Sequence, residues 1–435
     1  MAVNPFTYGN PISDPARFFG REREIEQVFS RLRNAEFESS SLVGERRVGK
    51  TSLLNYLSHP DVRRRFGLDP EKYIFVYVDL QMVDKDTTPA RLWQRILRQM
   101  ARFCQDAGVK QTIEELRQQE PIDNFALADL FDSIDGKGQY VVFLLDEFEN
   151  VTENSNFGPD FFYGLRSLAI HHNLSLITSS RRELIELCHS DAIRSSPFFN
   201  IFANINVGVF AESEARQLIA QSLEGTGVSF SESEVGAVFG LAGRHPYFLQ
   251  AACHFLFEAY AKNLAPEERI RFLNKEFYEE AAPHLEDYWH NSSDQEKIVL
   301  TVLALLERQG RANGRTFRVG QLQEYYARSD QTLSNLEKRG LVASVAEEYA
   351  LFCSTLGDWV VGEITHAPTD AQSYEDWLQS NQGALERLSA RAKSEIGALL
   401  PRIAGKYRDL VIDWVSDPKN LIAVAGLLRG VLGMG

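Results

Sequence analysis

Residues 44–52, which read GERRVGKTS, combine glycines, a lysine and hydroxyl side chains at the spacing of a phosphate-binding loop. Gly44 and Gly49 would let the backbone turn so that its amides point at phosphate oxygens. Lys50 would then reach the β and γ phosphates, and Thr51 would offer its hydroxyl to Mg²⁺. The competing interpretation is a glycine-rich turn with a surface lysine, and the flanking sequence decides between the two.

The loop lies between an apolar run and a helical pattern. The run SSLVG leads into it, and TSLLNYLSH follows from Thr51. Phosphate binding requires this order of strand, glycine-rich loop and helix, because the helix N-terminus adds partial positive charge. The sequence therefore predicts a nucleoside triphosphate site at this loop.

A second group of candidate residues lies within YVVFLLDEFEN, residues 140–150, directly after its apolar part. Six apolar residues would place Asp146 at the carboxyl edge of a sheet, beside the phosphate-binding loop. Asp146 would hold Mg²⁺ through water, and Glu147 would orient and deprotonate the attacking water. The alternative is an acidic pair that only caps the following helix.

Two arginines, Arg181 and Arg182, follow the apolar run LSLITSS. Strand ends in an open α/β sheet face the ligand crevice, so an arginine here is predicted to sense or stabilise the γ-phosphate. Arg181 is the first candidate of the two. A solvated basic helix start is the alternative for either residue. Arg166, in FFYGLRSLAIHH, would be a finger on a neighbouring subunit's nucleotide, although a solvated surface arginine is the favoured interpretation.

The elements that would position these residues alternate between strands and helices from residue 38 to about 210. Continuous apolar strands separated by helices indicate a parallel sheet that is covered on both faces. From 211 to 290 the patterns are helical only, with Pro246 suited to the first turn of one helix. The predicted fold class is therefore α/β, with a parallel sheet followed by a helical domain.

Residues 291–363 read as helix, helix, helix and hairpin, which is the order of a winged helix. If this module bound DNA, the contacts on its third helix would be Gln331, Asn335, Lys338 and Arg339. The hairpin tip carries Glu347 and Glu348, which would repel a phosphate backbone. DNA is therefore the less favoured partner, and an intramolecular or protein contact is favoured.

Net charge, cysteine spacing and apolar runs limit the classes of protein to which the chain can belong. The 435 residues carry a formal charge of −14, which gives no broad attraction to nucleic acid or anionic membrane. Four cysteines lie far apart, as expected for reduced thiols in a cytosolic protein. The start of the chain lacks the pattern of a signal peptide, and no run is long enough to span a bilayer. We therefore expect a cytoplasmic protein.

The C-terminal part carries no recognised enzyme motif. Residues 365–373, THAPTDAQS, read as a linker, and 374–435 read as a helical segment that ends in NLIAVAGLLRGVLGMG. This tail could touch a membrane surface or another subunit. A terminal helix packed on its own chain is favoured, because the single Arg429 makes a poor basic face.

Five motifs together resemble the AAA+-like signal-transduction ATPases called STAND, close to the archaeal-type ATPase branch. The motifs are FFGRERE at 18–24, GERRVGKTS at 44–52, LLDE at 144–147, TSSRR at 178–182 and GRHPYFLQ at 243–250. The resemblance implies a P-loop NTPase fold of AAA+-like type. Its expected parts are an N-terminal adenine-side segment over 1–37, the P-loop domain over 38–210, a helical lid over 211–290, the winged helix over 291–363 and the C-terminal helical segment.

The resemblance also implies an adenine nucleotide, ATP or ADP with Mg²⁺, and the choice of adenine rests on it alone. In the family, the segment matching Phe18, Phe19 and Gly20 lies by the adenine, and the proline matching Pro246 closes over the base. This sequence has Gly-x-x-Pro where the usual STAND form is Gly-x-Pro, and only Arg244 lies near the place of the AAA+ second sensor arginine. The expected nucleotide contacts are Phe19, Gly20, Gly44, Arg47, Val48, Gly49, Lys50, Thr51, Ser52 and Pro246.

The expected activity is slow ATP hydrolysis that switches domain arrangement or assembly state, in signalling or defence. Glu147, Lys50 and Arg181 would carry the chemistry, and Thr51 and Asp146 would hold the metal. The expected partner is a second copy of the chain or a signalling protein. Two alternatives remain, a DNA-binding initiator-type ATPase and a nucleotide-dependent scaffold with negligible turnover.

Overall fold

A computed structural model of the chain describes residues 3–312, 329–345 and 348–365, together with the single positions 392, 394 and 396. The chain divides into two compact units. The first comprises Met1–Ser231, Arg244–Ala265 and Lys338–Gly340. The second comprises Glu232–Gly243, Pro266–Glu337 and Leu341–Gly435.

The first unit is built on a parallel sheet of five strands. These are β1 (Ser39–Val43), β2 (Tyr73–Asp79), β3 (Tyr140–Asp146), β4 (Leu174–Ser180) and β5 (Phe202–Asn206). Their order across the sheet is β2-β3-β4-β1-β5, and every neighbouring pair is parallel. The predicted α/β parallel sheet is confirmed. Because β4 lies between β1 and β3, its end separates the glycine-rich loop from the acidic strand end.

Helices cover the sheet and follow its strands. They are α1 (Glu22–Leu32), α2 (Lys50–Ser58), α3 (Pro60–Arg65), α4 (Pro89–Phe103), α5 (Ala107–Arg117), α6 (Asn124–Asp135), α7 (Glu149–Thr152), α8 (Pro159–His171), α9 (Asp191–Arg194) and α10 (Glu212–Leu223). Helix α11 (Glu232–Ala242) belongs to the second unit, and α12 (Pro246–Ala261) returns to the first. Short 3₁₀ turns lie at Pro15–Arg17, Leu184–Leu187 and Pro197–Ile201.

The position of strand β3, with a hydrophobic cluster on each face of the sheet, explains why its sequence is continuously apolar. Val141, Phe143 and Leu145 point into one hydrophobic cluster, whereas Val142 and Leu144 point into the cluster on the other face. Successive side chains of a strand point to opposite faces, so a strand with helices on both sides must be apolar at every position. The acids follow only where the strand leaves the core, at Asp146 and Glu147.

The second unit contains mostly helices. They are α11, α13 (Pro266–His290), α14 (Asp294–Ala312), α15 (Ser329–Lys338, whose last residue belongs to the first unit) and α16 (Ser354–Trp359), which a π-helical stretch extends over Val360–Thr365. Strands β6 (Val342–Val345) and β7 (Glu348–Leu351) form an antiparallel hairpin. Thr355 Oγ1 donates to the Leu241 carbonyl oxygen at 2.8 Å, and the Leu351 amide donates to Glu307 Oε1 at 2.7 Å.

The winged helix stays a prediction. Its first helix, its third helix and its hairpin correspond to α14, α15 and β6–β7, but the expected middle helix falls at 313–328, outside the described residues. Glu347 at the hairpin tip, the linker at 365–373 and most of 374–435 also lie outside them. The segment 211–290 is helical as expected, although its helices are shared between the two units. The domain boundaries therefore stay predictions too.

All four cysteines are free and buried. In the part of the chain that the structure describes, no helix combines the length and the apolar character needed to cross a membrane.

Candidate functional site

The glycine-rich loop turns from β1 into α2 through two left-handed residues. Arg47 has φ 60° and Gly49 has φ 101°, and α2 begins at Lys50, one residue before the predicted Thr51. Gly44 is needed for a different reason, since a Cβ there would lie 2.2 Å from the Val207 carbonyl oxygen. Left-handed residues before a helix N-terminus turn backbone amides toward one point, which favours an anion.

Lys50 is only 8% exposed and lies inside this loop. Its Nζ donates to the carbonyl oxygens of Gly44 at 2.7 Å and Glu45 at 3.0 Å. Burial lowers the pKa of the Lys50 ammonium, and four nearby carboxylates, of which Glu149 acts most strongly, oppose that shift. The side chain is therefore a buried cation that binds its own loop and faces acids.

Asp146 ends β3 and is 3% exposed. Tyr77 Oη donates to its Oδ2 at 2.9 Å, and Ser179 Oγ, at the end of the intervening β4, donates to its Oδ1. Burial, and then the charge of Asp146, raise the pKa of the Tyr77 phenol, so this phenol stays a donor at neutral pH. The two donors fix the orientation of the carboxylate.

Glu147 has φ 55°, a left-handed conformation that is unusual for a residue with a side chain. Its amide donates to Ser179 Oγ at 3.0 Å, so the same hydroxyl positions both acids. Burial, followed by Glu149 and Asp146, raises the pKa of the Glu147 carboxyl, while Lys50 and Arg46 oppose that shift. A half-buried carboxylate with a raised pKa is suited to accept a proton from water.

These groups line one cavity of about 490 Å³ in the first unit, a volume within the range of small-molecule sites. The cavity brings together the loop, both acids, the phenylalanines before α1 and the first turn of α12. The predicted residues that line it are Phe19, Arg47, Val48, Gly49, Lys50, Thr51, Ser52, Asp146, Glu147 and Pro246.

Three predicted residues lie outside the cavity lining. Gly44 packs behind the loop, and Gly20 has φ 70° with a hypothetical Cβ 2.8 Å from Glu214 Oε1. Arg181 is engaged elsewhere: its Nε lies 3.2 Å from Glu149 Oε1, and its Nη2 lies 3.4 Å from Glu153 Oε1. A role for Arg181 at the γ-phosphate stays a prediction, and it would require this side chain to leave the two glutamates.

The resemblance implied that 1–37 lies on the adenine side, but it did not single out residues 4–12, here called the strap. The Ile12 amide donates to Ser52 Oγ at 3.0 Å, and Asn55 Nδ2 donates to the Ile12 carbonyl at 3.2 Å, which fixes one end to α2. Asn4 Nδ2 donates to the His254 carbonyl at 3.1 Å, which fixes the other end to α12. Residues 7–12 line the cavity between these two attachments.

Helix α12 contributes more than the predicted Pro246. Tyr247 lies edge-on to Tyr8 of the strap, with ring centroids 5.6 Å apart, and the Arg47 guanidinium lies 4.4 Å from the Tyr247 ring centroid. Gln250 also lines the cavity, and its buried Oε1 has no hydrogen-bond partner among the described residues. A buried amide oxygen at a cavity wall is expected to have a partner, so Gln250 is suited to contact a ligand there.

Arg21 supports the loop from behind. It is 3% exposed, and its Nη2 donates to the carbonyl oxygens of Val48 at 3.0 Å and Gly208 at 2.6 Å. Burial lowers the pKa of this guanidinium, and the nearby charge of Glu24 opposes the shift. The motif FFGRERE contained this residue, but no spacing rule indicated that it holds the phosphate-binding loop.

A second arginine, Arg339, holds the loop at Glu45. Arg339 Nη2 lies 2.6 Å from Glu45 Oε2, Nε donates to the same oxygen at 2.7 Å, and both side chains are 6% exposed or less. Lys338 lies beside it with Nζ 3.4 Å from Glu183 Oε1. Two of the four side chains predicted to contact DNA are thus engaged inside the first unit, whereas Gln331 and Asn335 are exposed.

The cavity fits Mg²⁺ on the chemistry of its donors. Thr51 and Asp146 both line it and both offer oxygen, which this cation prefers. Each Asp146 oxygen accepts one hydrogen bond from the protein, and an ionised carboxylate has about four lone-pair sites, so capacity remains for water on a metal.

Comparison with known families gives one match that covers most of the chain. The family described as Novel STAND NTPase 2 matches residues 34–307. This range begins before β1 and ends within α14, so it includes the glycine-rich loop, both acids and α12. The comparison with curated proteins gives no match.

Two solved structures are similar over most of their length. The Walker-type ATPase of Pyrococcus abyssi has 15% identity and a TM-score of 0.51, with 81% of this chain and 98% of that chain covered. The Aeropyrum pernix ORC2 protein, solved as ADPNP-ADP complexes, has 14% identity and a TM-score of 0.52, with 83% and 98% covered. At these identities the similarity shows the fold alone, which is the P-loop NTPase fold of AAA+-like type.

Proposed function

The chain belongs to the family described as Novel STAND NTPase 2, and we propose that it binds ATP, hydrolyses it slowly and acts as a nucleotide-controlled switch. The observation that carries this proposal is the single cavity lined by Lys50, Thr51, Asp146 and Glu147. A cation, a hydroxyl and two acids beside a helix N-terminus are the groups that phosphoryl transfer requires.

Each group has a role in this proposal. Lys50 exchanges the Gly44 and Glu45 carbonyls for phosphate oxygens, and the loop amides hold the same phosphates. Thr51 and Asp146 would hold Mg²⁺, which would supply charge neutralisation on the phosphates. Glu147 accepts a proton from the attacking water, for which its raised pKa suits it.

The aromatic side of the cavity supports a purine base. Phe18, Phe19, Tyr8 and Tyr247 line it, and flat side chains of this kind stack on bases. Gln250 adds an unpaired amide oxygen that can accept from the exocyclic amine of adenine. The Pyrococcus protein of this fold is called a Walker-type ATPase, and the Aeropyrum protein was solved as ADPNP-ADP complexes; both agree with ATP as the ligand.

A switch is favoured over a processive motor on two observations. The cavity is formed by the P-loop, the strap and α12 together, so a bound nucleotide would contact three separate elements. Arg244, the only residue near the place of a second sensor arginine, does not line it. Loss of the γ-phosphate would change contacts at the P-loop, where Arg47 lies against Tyr247 of α12, and a change in domain arrangement or in assembly with a second copy would follow.

The DNA-binding initiator alternative lacks a supporting observation on α15. Lys338 and Arg339 are paired with Glu183 and Glu45, so binding duplex DNA with them would first break those ion pairs. We therefore propose a second copy or a signalling protein, and not duplex DNA on this helix, as the partner of the switch.

The Glu147→Gln variant separates an enzyme from a scaffold. The change keeps the shape of the side chain but removes the base, so phosphate release should fall by about 10²-fold or more while ATP still binds. The matched control is Glu36→Gln, an exposed change outside the cavity, which should leave both quantities unaltered. Absence of turnover in the wild-type protein would reduce the chain to a nucleotide-dependent scaffold, and equal, non-zero turnover in both variants would assign the proton transfer to a group other than Glu147.

A further inference from the structure

One face of helix α4 carries a stripe of four arginines, Arg91, Arg95, Arg98 and Arg102, and all four are exposed. Their spacing of four, three and four residues places them within an arc of about 60° over about 16 Å of helix. The opposite face is apolar and packs into the core through Leu92, Trp93, Ile96, Leu97 and Met100. The stripe is thus held on a rigid support.

The stripe is not balanced by acids. Helix α4 contains no aspartate or glutamate, although the chain as a whole has 60 acidic and 46 basic residues. Several arginines on other helices pair with an acid one turn earlier, as Arg216 does with Glu212 at 2.9 Å. In the described part of the chain, the side chains of Arg91, Arg95 and Arg98 have no hydrogen-bond or ion-pair partner. A solvated helix face would be expected to mix both signs of charge.

The arginines line a groove of about 630 Å³. Five arginines line it, the four of the stripe and Arg117 of α5, against the single carboxylate Asp79. Arg117 is already paired with Glu114 at 2.6 Å. The groove therefore presents a net positive wall in a chain whose formal charge is −14, and an anion is the complementary occupant.

One exposed apolar side chain lines the same groove, and another, Phe103, follows the last arginine of the stripe without lining the groove. Met82, which lines it, is 70% exposed, and Phe103 at the end of α4 is 51% exposed. Phe103 lies one helical turn after Gln99, which also lines the groove. A row of cations flanked by an exposed aromatic ring is the arrangement that binds single-stranded nucleic acid, because phosphates meet the charges and an unpaired base stacks on the ring.

We propose that this stripe and Phe103 form a binding site for single-stranded nucleic acid. Arginine suits phosphate better than lysine does, since its planar guanidinium donates two parallel hydrogen bonds to one group. A duplex has no unpaired base for Phe103, and an acidic polypeptide would use the charges but not the ring. The groove adjoins the nucleotide cavity, since Asp79 lines both, but no arginine of the stripe lines that cavity. Failure of this site would therefore leave the proposed ATPase intact.

The experiment measures binding of a labelled oligothymidine of about 15 nucleotides to the full-length protein at several salt concentrations. Four phosphate contacts on a single strand predict a slope of log K against log salt near −2.8, an affinity loss of about 50-fold between 50 and 200 mM. The triple variant Arg91→Gln, Arg95→Gln, Arg98→Gln should bind more weakly, with the slope reduced by about 2.

The matched control is Lys262→Gln, Arg271→Gln, Lys275→Gln, which changes the net charge equally on exposed residues outside the groove. It should keep the wild-type slope, and both triple variants should keep the wild-type melting temperature. Phe103→Ala should weaken binding by about 5-fold or more without changing the slope.

Four results would overturn the proposal. They are no binding at 50 mM salt, equal binding by the two triple variants, an unchanged affinity of Phe103→Ala, and tighter binding of a duplex or of poly-glutamate than of the single strand. The last result would assign the stripe to duplex DNA or to an acidic protein.

Discussion

Glu147 shows how the surroundings of one side chain set its chemistry. Burial and two neighbouring carboxylates raise the pKa of Glu147, although Lys50 and Arg46 oppose the shift. A general base works only when deprotonated, so turnover is lost as the pH falls through its pKa. Because that pKa is raised, the loss begins above the range of an ordinary glutamate, whose pKa is about 4.3.

We therefore predict that the acid limb of the hydrolysis rate, measured with saturating ATP, lies above that range. The limb should disappear from the residual rate of Glu147→Gln, because amides do not titrate. A wild-type rate that stays constant until the protein unfolds in acid would assign the proton transfer to another group.

Arg339 and Glu45 form a buried ion pair at the phosphate-binding loop, which is a second feature at the scale of residues. Removing one partner leaves an uncompensated buried charge, so Arg339→Met should lower the unfolding free energy of the first unit by about 3 kcal/mol. Adding Glu45→Gln removes the second charge and should recover most of this loss.

Chemical denaturation monitored at the first unit checks this prediction. The matched control is Lys338→Met, since Lys338 is 52% exposed and its pair with Glu183 is long at 3.4 Å. That control should cost less than about 1 kcal/mol. Equal losses for Arg339→Met and Lys338→Met would contradict a structural role for the buried pair.

At the scale of elements, the two glycines of the phosphate-binding loop are required for different physical reasons. Gly49 needs a left-handed backbone, whereas Gly44 needs space, since a Cβ there would lie 2.2 Å from the Val207 carbonyl oxygen. Gly44→Ala should therefore shift the loop, cost about 1–3 kcal/mol of stability and raise the Kd for ATP about tenfold or more.

Thermal unfolding and ATP titration of the variants test this. Gly208→Ala is the control, because a Cβ at Gly208 meets no atom within 4 Å and the residue lies just beyond Val207 in the chain. Similar effects of the two alanines would show that close packing of Gly44 does not hold the loop.

The elements also show which parts of the site the sequence could predict. Gly44–Ser52 and Asp146–Glu147 were found because a strand, a loop and an acid follow each other locally. For the strap, the resemblance implied only that 1–37 lies on the adenine side, because the attachment of residues 4–12 depends on hydrogen bonds to Ser52 and His254, which are about 40 and 250 positions away. No periodic pattern in a Pro/Gly-rich entry encodes such contacts.

At the scale of the whole molecule, the sheet order explains what local patterns could not. Strand β4 lies between β1 and β3, so Ser179 at its end contacts Asp146 and the Glu147 amide. The small hydroxyl residues of LSLITSS were visible in the sequence, but their purpose required the order of strands. The same holds for Arg181, whose pairing with Glu149 appears only in three dimensions.

Charge is also distributed in a way that the total conceals. A formal charge of −14 argues against nucleic acid as a general partner, yet α4 places four arginines and no acid on one exposed face. Composition averages over surfaces, whereas binding depends on the charges that share one surface. A salt-dependent interaction is therefore compatible with an acidic chain.

The central claim is that the cavity around Lys50 and Asp146 binds ATP, and calorimetric titration of the purified chain with ATP and Mg²⁺ tests it most directly. We predict one ATP per chain, with affinity reduced at least about tenfold in Lys50→Met and unchanged in the exposed control Lys72→Met. Absence of binding to the wild-type protein, or equal affinities for the two variants, would contradict the account.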